Sequence, residues 1–426
     1  MLIDLSIKNY LSFKNETIFS LRAVSNKKDT KASIFSLKNN IDILKTSVIY
    51  WYNASGKTNL LRSIQTIKVL ITDSWRLGPG DPVFTLWWVF LQPFRLNDST
   101  RKAPAEFKIT FEINWIIYRY EFSLDWMRIC SENLYSKKTQ KEKVLFKRNF
   151  QDIIIYDFDD NNSIKRVNEN NLALSIFAKE GSEEAKMIHK FFQEIYVFFW
   201  DWSSSDSELM MINEYDTFKP FLKSLLNKAD LWIEDIDFSL KEIPFNQLPK
   251  SETLRVQLQS QWIPIPENVK SHIWNVYHPV YDDNGNIIWQ HAFSVNDESK
   301  WTNKILNLAW SIYNVIRQWK ILFLDEIDAS LHSSLLLNLI RSFNRTNINS
   351  HFQIIFTTQN THIMDIKRTL RRDQIWFVEK DEFWSSKLLR LSDDNIRKEY
   401  ITEKNYYKWV FWWLKNNKER DDLLKQ

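Results

Sequence analysis

Three things are scarce in this sequence. There is a single cysteine, Cys130, which excludes a disulfide framework and a cysteine-built zinc cluster. No apolar run reaches the roughly 20 residues that a membrane-spanning helix requires, so no membrane partner is expected. The opening MLIDLSIKNY has Asp4 and Lys8 inside its apolar stretch, which reads as a first strand rather than a secretory signal core, and a cytoplasmic setting is the expectation. The third scarcity is glycine, with 5 residues in 426. An ordinary chain of this length has about 7% glycine, roughly 30 residues.

Tryptophan, by contrast, is abundant at 20. The two counts together approach a normal glycine allotment. The reading adopted here is that most Trp letters stand for glycine, as follows where UGA codons encode glycine and are translated as tryptophan. The alternative is a genuinely tryptophan-rich protein, and position decides between the two. The remaining composition is that of a globular protein, with 44% hydrophobic and 26% charged residues. A net charge of +4 permits nucleic-acid contact without arguing for it, because no dense Lys/Arg face is evident.

Residues 1–22 read as a strand or strand pair and Ile43–Tyr50 as a buried strand. Lys57–Ile71 follows with Leu60, Leu61, Ile64, Ile67 and Leu70 on helical spacing. Phe107–Phe122 reads as two strands joined at Asn114-Trp115, where Asn-Gly would give the favoured type I′ turn and Asn-Trp would not. Glu183–Phe199 and Phe218–Lys228 read as helices, and 273–281 with 286–295 as a hairpin around Asp283-Asn284-Gly285. From Thr302 the chain alternates helices (302–316, 330–343, 361–370) with short apolar strands (320–324, 353–358, 374–379), which implies a parallel sheet. No heptad array is long enough for a coiled-coil arm.

Trp51-Tyr52-Asn53-Ala54-Ser55-Gly56-Lys57-Thr58 lies between the buried strand and the helix. It matches the phosphate-binding pattern G-x-x-x-x-G-K-[ST] except at Trp51. Backbone N–H groups of such a loop cradle phosphates, and here the Lys57 ammonium would reach the β/γ-phosphates of ATP and the Thr58 hydroxyl would bind Mg2+. Ile321-Leu322-Phe323-Leu324-Asp325-Glu326 is an apolar strand ending in two carboxylates, with Asp325 for Mg2+ and Glu326 to polarise the attacking water. Alone this is an ordinary strand end as readily as a site; set on a parallel strand neighbouring the phosphate loop it gains force. Glu298-Ser299-Lys300-Trp301-Thr302 opens a helix before that strand, and taken alone it is a plain serine-capped helix start.

In this order the motifs resemble an ABC-type ATPase head. More narrowly they are similar to bacterial ATP-binding proteins of the AAA/ABC-like class that includes OLD-type and SMC-type heads. The resemblance is carried by LSIKNYLSFK, the phosphate loop, E-S-K-W-T, LFLDEIDASLH, QIIFTTQNTHIMD, DQIWFVEKD and NYYKWVFWWL. It implies an α/β P-loop NTPase fold with a largely parallel sheet flanked by helices, a β-rich N-terminal lobe and a mixed α+β insertion. It also implies that Ser299, Trp301 and Thr302 form a signature contacting the γ-phosphate in the opposite subunit, and that Ile327–His332 is the loop following the metal strand. Positions 51, 115, 232, 301, 310, 319, 409, 412 and 413 are glycine in that family, Trp87, Trp88 and Trp384 fall in loop-like contexts, and Trp376 suits a genuine tryptophan.

Two positions depart from the family. Leu11 stands where related heads often have arginine, and Gln359, with His362 nearby, stands where a γ-phosphate-sensing histidine is usual. A lone loop histidine is more often structural. Gln92, before Pro93, is either a nucleotide-responsive glutamine or an ordinary loop residue. The expected division is 1–135 and 271–426 as the two parts of the head, with 136–270 as the insertion. The expected activity is Mg2+-dependent ATP hydrolysis by an ATP-sandwiched homodimer that controls a separately encoded effector in defence or stress. The alternatives are a DNA-repair ATPase clamp and a non-catalytic nucleotide switch if Trp51 is genuine.

Overall fold

The computed structural model describes the chain except residues 25–32, 38–40, 51–54, 87–88, 160–162, 200–214, 229–232, 248–250, 253–254, 256–263, 295–296, 330–332, 346–350, 361–362, 364–369 and 394–426. Two compact units are present, Met1–Trp202 with Asn314–Gln426, and Ser203–Tyr313. The expected boundaries at 135 and 270 differ from these. Residues 136–202 belong to the first unit because their strands and helices continue its sheets and core.

The first unit begins with β1 (Leu2–Lys8), β2 (Thr17–Ser20), β3 (Ile34–Ser36), β4 (Asp42–Leu44) and β5 (Thr46–Tyr50), then α1 (Lys57–Asp73) and the single turn α2 (Asp98–Arg101). Next come β6 (Ala105–Ile113), β7 (Ile116–Leu124), β8 (Ile129–Lys137), β9 (Lys143–Asn149) and β10 (Asp152–Ile155). They are followed by α3 (Ala173–Glu180), α4 (Glu183–Gln193) and β11 (Ile195–Phe198). The second unit holds α5 (Tyr215–Lys228), β12 (Asp235–Pro244), β13 (Asn268–Tyr281), β14 (Ile287–Ser294) and most of α6 (Lys300–Gln318). The chain then returns through β15 (Ile321–Leu324), α7 (Ser333–Arg345), β16 (Gln353–Thr358), β17 (Ile375–Lys380) and β18 (Ser386–Arg390).

In the first unit, a seven-stranded antiparallel sheet runs β10-β9-β8-β7-β6-β1-β2. Alternate residues of β6 (Phe107, Ile109, Phe111) are buried, as a sheet with one covered face requires. A six-stranded sheet runs β11-β15-β16-β5-β17-β18 and is parallel apart from its β18 edge. Its central strand β5 is buried at every residue, the pattern of a strand covered on both faces. One apolar core joins Leu60, Leu61, Ile64 and Ile67 of α1 to both sheets. In the second unit β12, β13 and β14 form an antiparallel sheet, and Phe218 of α5 packs edge-on against Trp310 of α6 at 5.0 Å. Among the described residues no helix is long and apolar enough to cross a membrane.

The residues expected as a helix over 183–199 divide into α4 and the strand β11. Ile43–Tyr50 divides into β4 and β5, with the buried Lys45 between them. The expected helix over 361–370 lies almost wholly outside the described residues.

Among the described residues, three tryptophans occupy left-handed backbone, Trp115 (φ 67°), Trp319 (φ 57°) and Trp384 (φ 64°). A residue with a Cβ adopts this region at a cost of about 1–2 kcal/mol, and glycine adopts it freely. Asn114 (φ 50°) and Trp115 make the two-residue loop between β6 and β7, with Ile113 paired to Ile116. Both central residues therefore have the positive φ of a type I′ turn. Trp384 has a twin in Gly285. In each loop the residue donates its amide to the carbonyl of an aspartate three residues back, Asp381 or Asp282, at 3.0 Å. In each, that aspartate's Oδ1 accepts two further amides, from Phe383 and Ser385 or from Asn284 and Asn286. Gly285 has φ 82°.

Other tryptophans behave differently. Trp310 lies in the interior of α6, 3% exposed, rather than at a turn. Trp376 is buried in β17 beside Phe19 at 5.2 Å, in keeping with a genuine aromatic, although its indole N–H has no partner among the described residues.

Candidate functional site

The site forms where β5 meets α1. Gly56 caps α1 with φ 115°, and a Cβ there would lie 2.5 Å from Ser386 Oγ and 2.7 Å from Ser12 Oγ. Only glycine fits this position. Ser386 Oγ donates to the Ser55 carbonyl at 2.6 Å, and Asn59 Nδ2 donates to Ser12 Oγ at 2.9 Å. The start of β18 and the turn after β1 thus grip the loop from outside it.

The N-terminus of α1 is left open electrostatically. It has no side-chain cap and no acidic residue in its first turn. By contrast, α4 is capped by Ser182 Oγ, which accepts from Ala185 N, and begins with Glu183 and Glu184. The N–H groups at a helix start and the positive end of its dipole suit an anion. Lys57, 4% exposed, sits on this first turn. Burial lowers its pKa from the usual lysine range, while the carboxylates of Glu326, Asp325 and Asp328 act in the opposite direction.

Thr58 Oγ1 donates to Asp325 Oδ2 at 2.8 Å, which brings the loop and the end of β15 together. The two are not on neighbouring strands as the sequence reading had them, because β16 stands between β5 and β15. Thr357 of β16 closes that gap. Its Oγ1 donates to Asp325 Oδ1 at 2.6 Å and accepts from Glu326 N at 2.7 Å. Glu326 itself has left-handed backbone, φ 46°. Beyond it, Ile327–Ala329 forms a short 3-10 turn in which Asp328 Oδ2 accepts the Gln359 amide at 2.9 Å.

Ser55 Oγ and Asp328 Oδ1 are buried and have no hydrogen-bond partner among the described residues. Together with the Thr58 hydroxyl and the Asp325 carboxylate, this donor set fits a phosphate chain with a Mg2+ ion. Thr58 and Asp325 would hold the metal, which neutralises charge on the phosphates when bound.

Of the residues singled out in the sequence, the structure brings together Ser55, Gly56, Lys57, Thr58, Asp325 and Glu326. Trp51, Asn53, Ala54 and His362 lie outside the described residues. Ser299 Oγ accepts from Thr302 N at 3.1 Å and meets Thr302 Oγ1 at 2.9 Å, so Ser299 caps α6, with Trp301 in its first turn. Glu298 Oε1 meets His278 Nε2 at 2.7 Å. Gln92 accepts the Leu11 amide on its backbone carbonyl at 2.8 Å. Sequence reasoning missed Ser12, Asn59, Ser386 and Thr357. The QIIFTT run shows in the sequence as a buried strand ending in hydroxyls, but its place beside the carboxylate strand does not.

The SMC head bound to the C-winged helix domain of ScpA is 11% identical, with TM-score 0.41 and coverage of 91% of this chain and 96% of that one. The SMC head domain from Thermotoga maritima is 12% identical, with TM-score 0.39 and coverage of 91% and 98%. The Smc head with an extended coiled coil, bound to the C-terminal domain of ScpA derived from Pyrococcus furiosus, is 14% identical, with TM-score 0.43 and coverage of 92% and 97%. No curated protein matches. A family model described as "AAA domain, putative AbiEii toxin, Type IV TA system" matches residues 49–365, from the last strand residues before the phosphate loop to beyond β16. The α/β P-loop architecture, the carboxylate strand and well over half of the chain are thereby accounted for, and the chain belongs to this AAA-domain family.

Proposed function

We propose that the protein is a Mg2+-dependent ATP hydrolase that closes as an ATP-bridged homodimer and controls a separately encoded effector of a defence or stress system. The observation that carries hydrolysis is the chain of contacts Thr58–Asp325–Thr357–Glu326, which holds a metal-binding hydroxyl, a metal-binding carboxylate and a second carboxylate in one network. In this reading the α1 amides and Lys57 bind the phosphates, and Glu326 polarises the attacking water. The protein's contribution is positioning and charge stabilisation.

Residue 51 is read as glycine. Support comes from Trp115, Trp319 and Trp384, which have positive φ elsewhere in the chain, and from the match between the loop of Trp384 and that of Gly285. The dimer rests on the Ser299–Thr302 signature, which in related heads acts in trans. The effector rests on the family's toxin–antitoxin description, which concerns relatives.

The test uses the chain with Trp51→Gly, alone and combined with Glu326→Gln. Phosphate release with Mg2+-ATP is expected from the first. The double variant should bind ATP, dimerise and turn over at least about a hundredfold more slowly, the scale on which loss of a water-orienting group acts. Equal turnover in the two would remove Glu326 from its role, and a monomer in saturating ATP would remove the dimer. If peptides from the native source carry tryptophan at 51, the indole obstructs the tight turn and the non-catalytic switch becomes the better reading. A DNA clamp would instead show ATP-dependent DNA binding with a steep salt dependence.

A further inference from the structure

We infer that Thr357 is a positioning residue for hydrolysis, one hydroxyl that sets both the metal-binding carboxylate and the water-polarising one; this rests on the ATPase reading above. A hydroxyl has one proton and two lone pairs. The Glu326 amide can only donate, so Thr357 Oγ1 must accept from it, at 2.7 Å. Its single proton then goes to Asp325 Oδ1, at 2.6 Å. The direction of the network is thereby fixed without reference to any observed hydrogen.

Each bond has a separate consequence. Asp325 is held on both oxygens, by Thr357 at Oδ1 and Thr58 at Oδ2, so the plane of its carboxylate is set before a metal arrives. Glu326 leaves the strand in left-handed backbone, φ 46°, which a non-glycine residue adopts at a cost of about 1–2 kcal/mol. The bond from its amide to Thr357 offsets part of that cost and selects the direction in which its side chain departs. Residues held in sparsely populated backbone persist only where their surroundings enforce them. Thr357 is 0% exposed and sits on β16, between the strand that leads into the phosphate loop and the strand that ends in Asp325. No other described side chain bonds both Asp325 and the Glu326 backbone.

Valine at 357 keeps the branched shape and removes both bonds. Loss of a residue that orients a metal ligand typically lowers metal affinity or activity about 10- to 100-fold. The experiment takes the Trp51→Gly chain as parent and adds Thr357→Val or Thr357→Ser. ATP turnover is measured against Mg2+ concentration, and hydrogen exchange is followed at the Glu326 amide. In Thr357→Val, the Mg2+ needed for half-maximal rate should rise about tenfold or more and the rate at saturating Mg2+ should fall at least as far. The Glu326 amide should lose protection while the thermal midpoint stays close to the parent's. Thr357→Ser, which keeps the hydroxyl, should recover most of the Mg2+ affinity, the rate and the protection. An unchanged Mg2+ dependence and rate in Thr357→Val, with an active parent, overturns the role of Thr357 alone. An inactive parent overturns the ATPase reading and this inference with it, and the exchange data then mark the hydroxyl as purely structural.

Discussion

Gly181 and Trp319 end their helices in the same way. Each directly follows the last residue of a helix, α3 or α6, and each has positive φ, 112° and 57°. In each case the next amide bonds back to a carbonyl five residues earlier, Ser182 to Phe177 and Lys320 to Val315, both at 3.0 Å. This is the closure in which glycine is favoured because it alone enters left-handed backbone without steric penalty. One chain thus uses glycine and tryptophan for one task. Trp319 is 58% exposed, with its ring 5.2 Å from that of His351, so little buried surface is lost by removing it.

Replacing Trp319 by glycine is therefore expected to stabilise the protein by about 1–2 kcal/mol, and Trp384→Gly likewise. Trp376→Gly, which empties a site 4% exposed, should cost about 3–5 kcal/mol. Urea unfolding of the three variants decides the matter, and a destabilised Trp319→Gly would contradict the assignment. Mass spectrometry of native peptides spanning 319 and 384 gives an independent answer, since glycine is lighter by the whole indolylmethyl group.

Gly56→Ala should abolish most nucleotide binding. The added methyl meets Ser386 and Ser12 on a backbone that already has φ 115°. Titration of a fluorescent ATP analogue is expected to show affinity reduced about 5- to 150-fold, corresponding to a strain of about 1–3 kcal/mol. Affinity equal to that of the parent would show that the loop opens to admit the methyl.

Glu132 and Arg148 form a fully buried pair at 3.4 Å. Glu132 also accepts the Ala173 and Leu174 amides at the start of α3 and the Tyr120 hydroxyl. Glu132→Ala leaves Arg148 without its carboxylate and α3 without its cap, and should destabilise the first unit by about 3–5 kcal/mol. Chemical denaturation measures this, and a loss below about 1 kcal/mol would mean that the network relaxes around water.

Burial lowers the Lys68 ammonium to about 8, with Asp73 acting to raise it and Lys320 to lower it further. Its Nζ donates to the Ile195 carbonyl. The folded pKa lies below the unfolded one, so the unfolded chain binds more protons between the two values, and stability should rise with pH from about 8 towards the ordinary lysine range. Lys68→Met should flatten that rise. Thermal midpoints taken across this window check it, and a rise of equal steepness in the variant would assign it elsewhere.

The parts of the site written as contiguous motifs were legible in the sequence. Ser55–Thr58 and Asp325-Glu326 needed only their own neighbours to be recognised, and Asn114-Trp115 declared a turn through the pattern of its flanking strands. Thr357 was not legible because its role depends on β16 lying between β5 and β15, an order no local pattern records. The strand β11 was read as helix because four apolar residues following an amphipathic helix extend its periodicity. Residues 136–202 were assigned to the insertion because they carry no motif, yet β8, β9 and β10 simply extend the sheet that β6 and β7 begin.

The pairing of β11 with β15 has a mechanical consequence. The chain leaves the first unit after β11 and comes back through α6 into β15, and these two strands lie side by side and parallel, Ile195 opposite Ile321. Tension applied through the inserted unit would pull β11 from its C-terminal end and β15 from its N-terminal end. Parallel neighbours loaded at opposite ends slide against all their hydrogen bonds at once instead of unzipping one by one. A pull directed along these strands would therefore be borne in shear by β15, the strand that leads into Asp325.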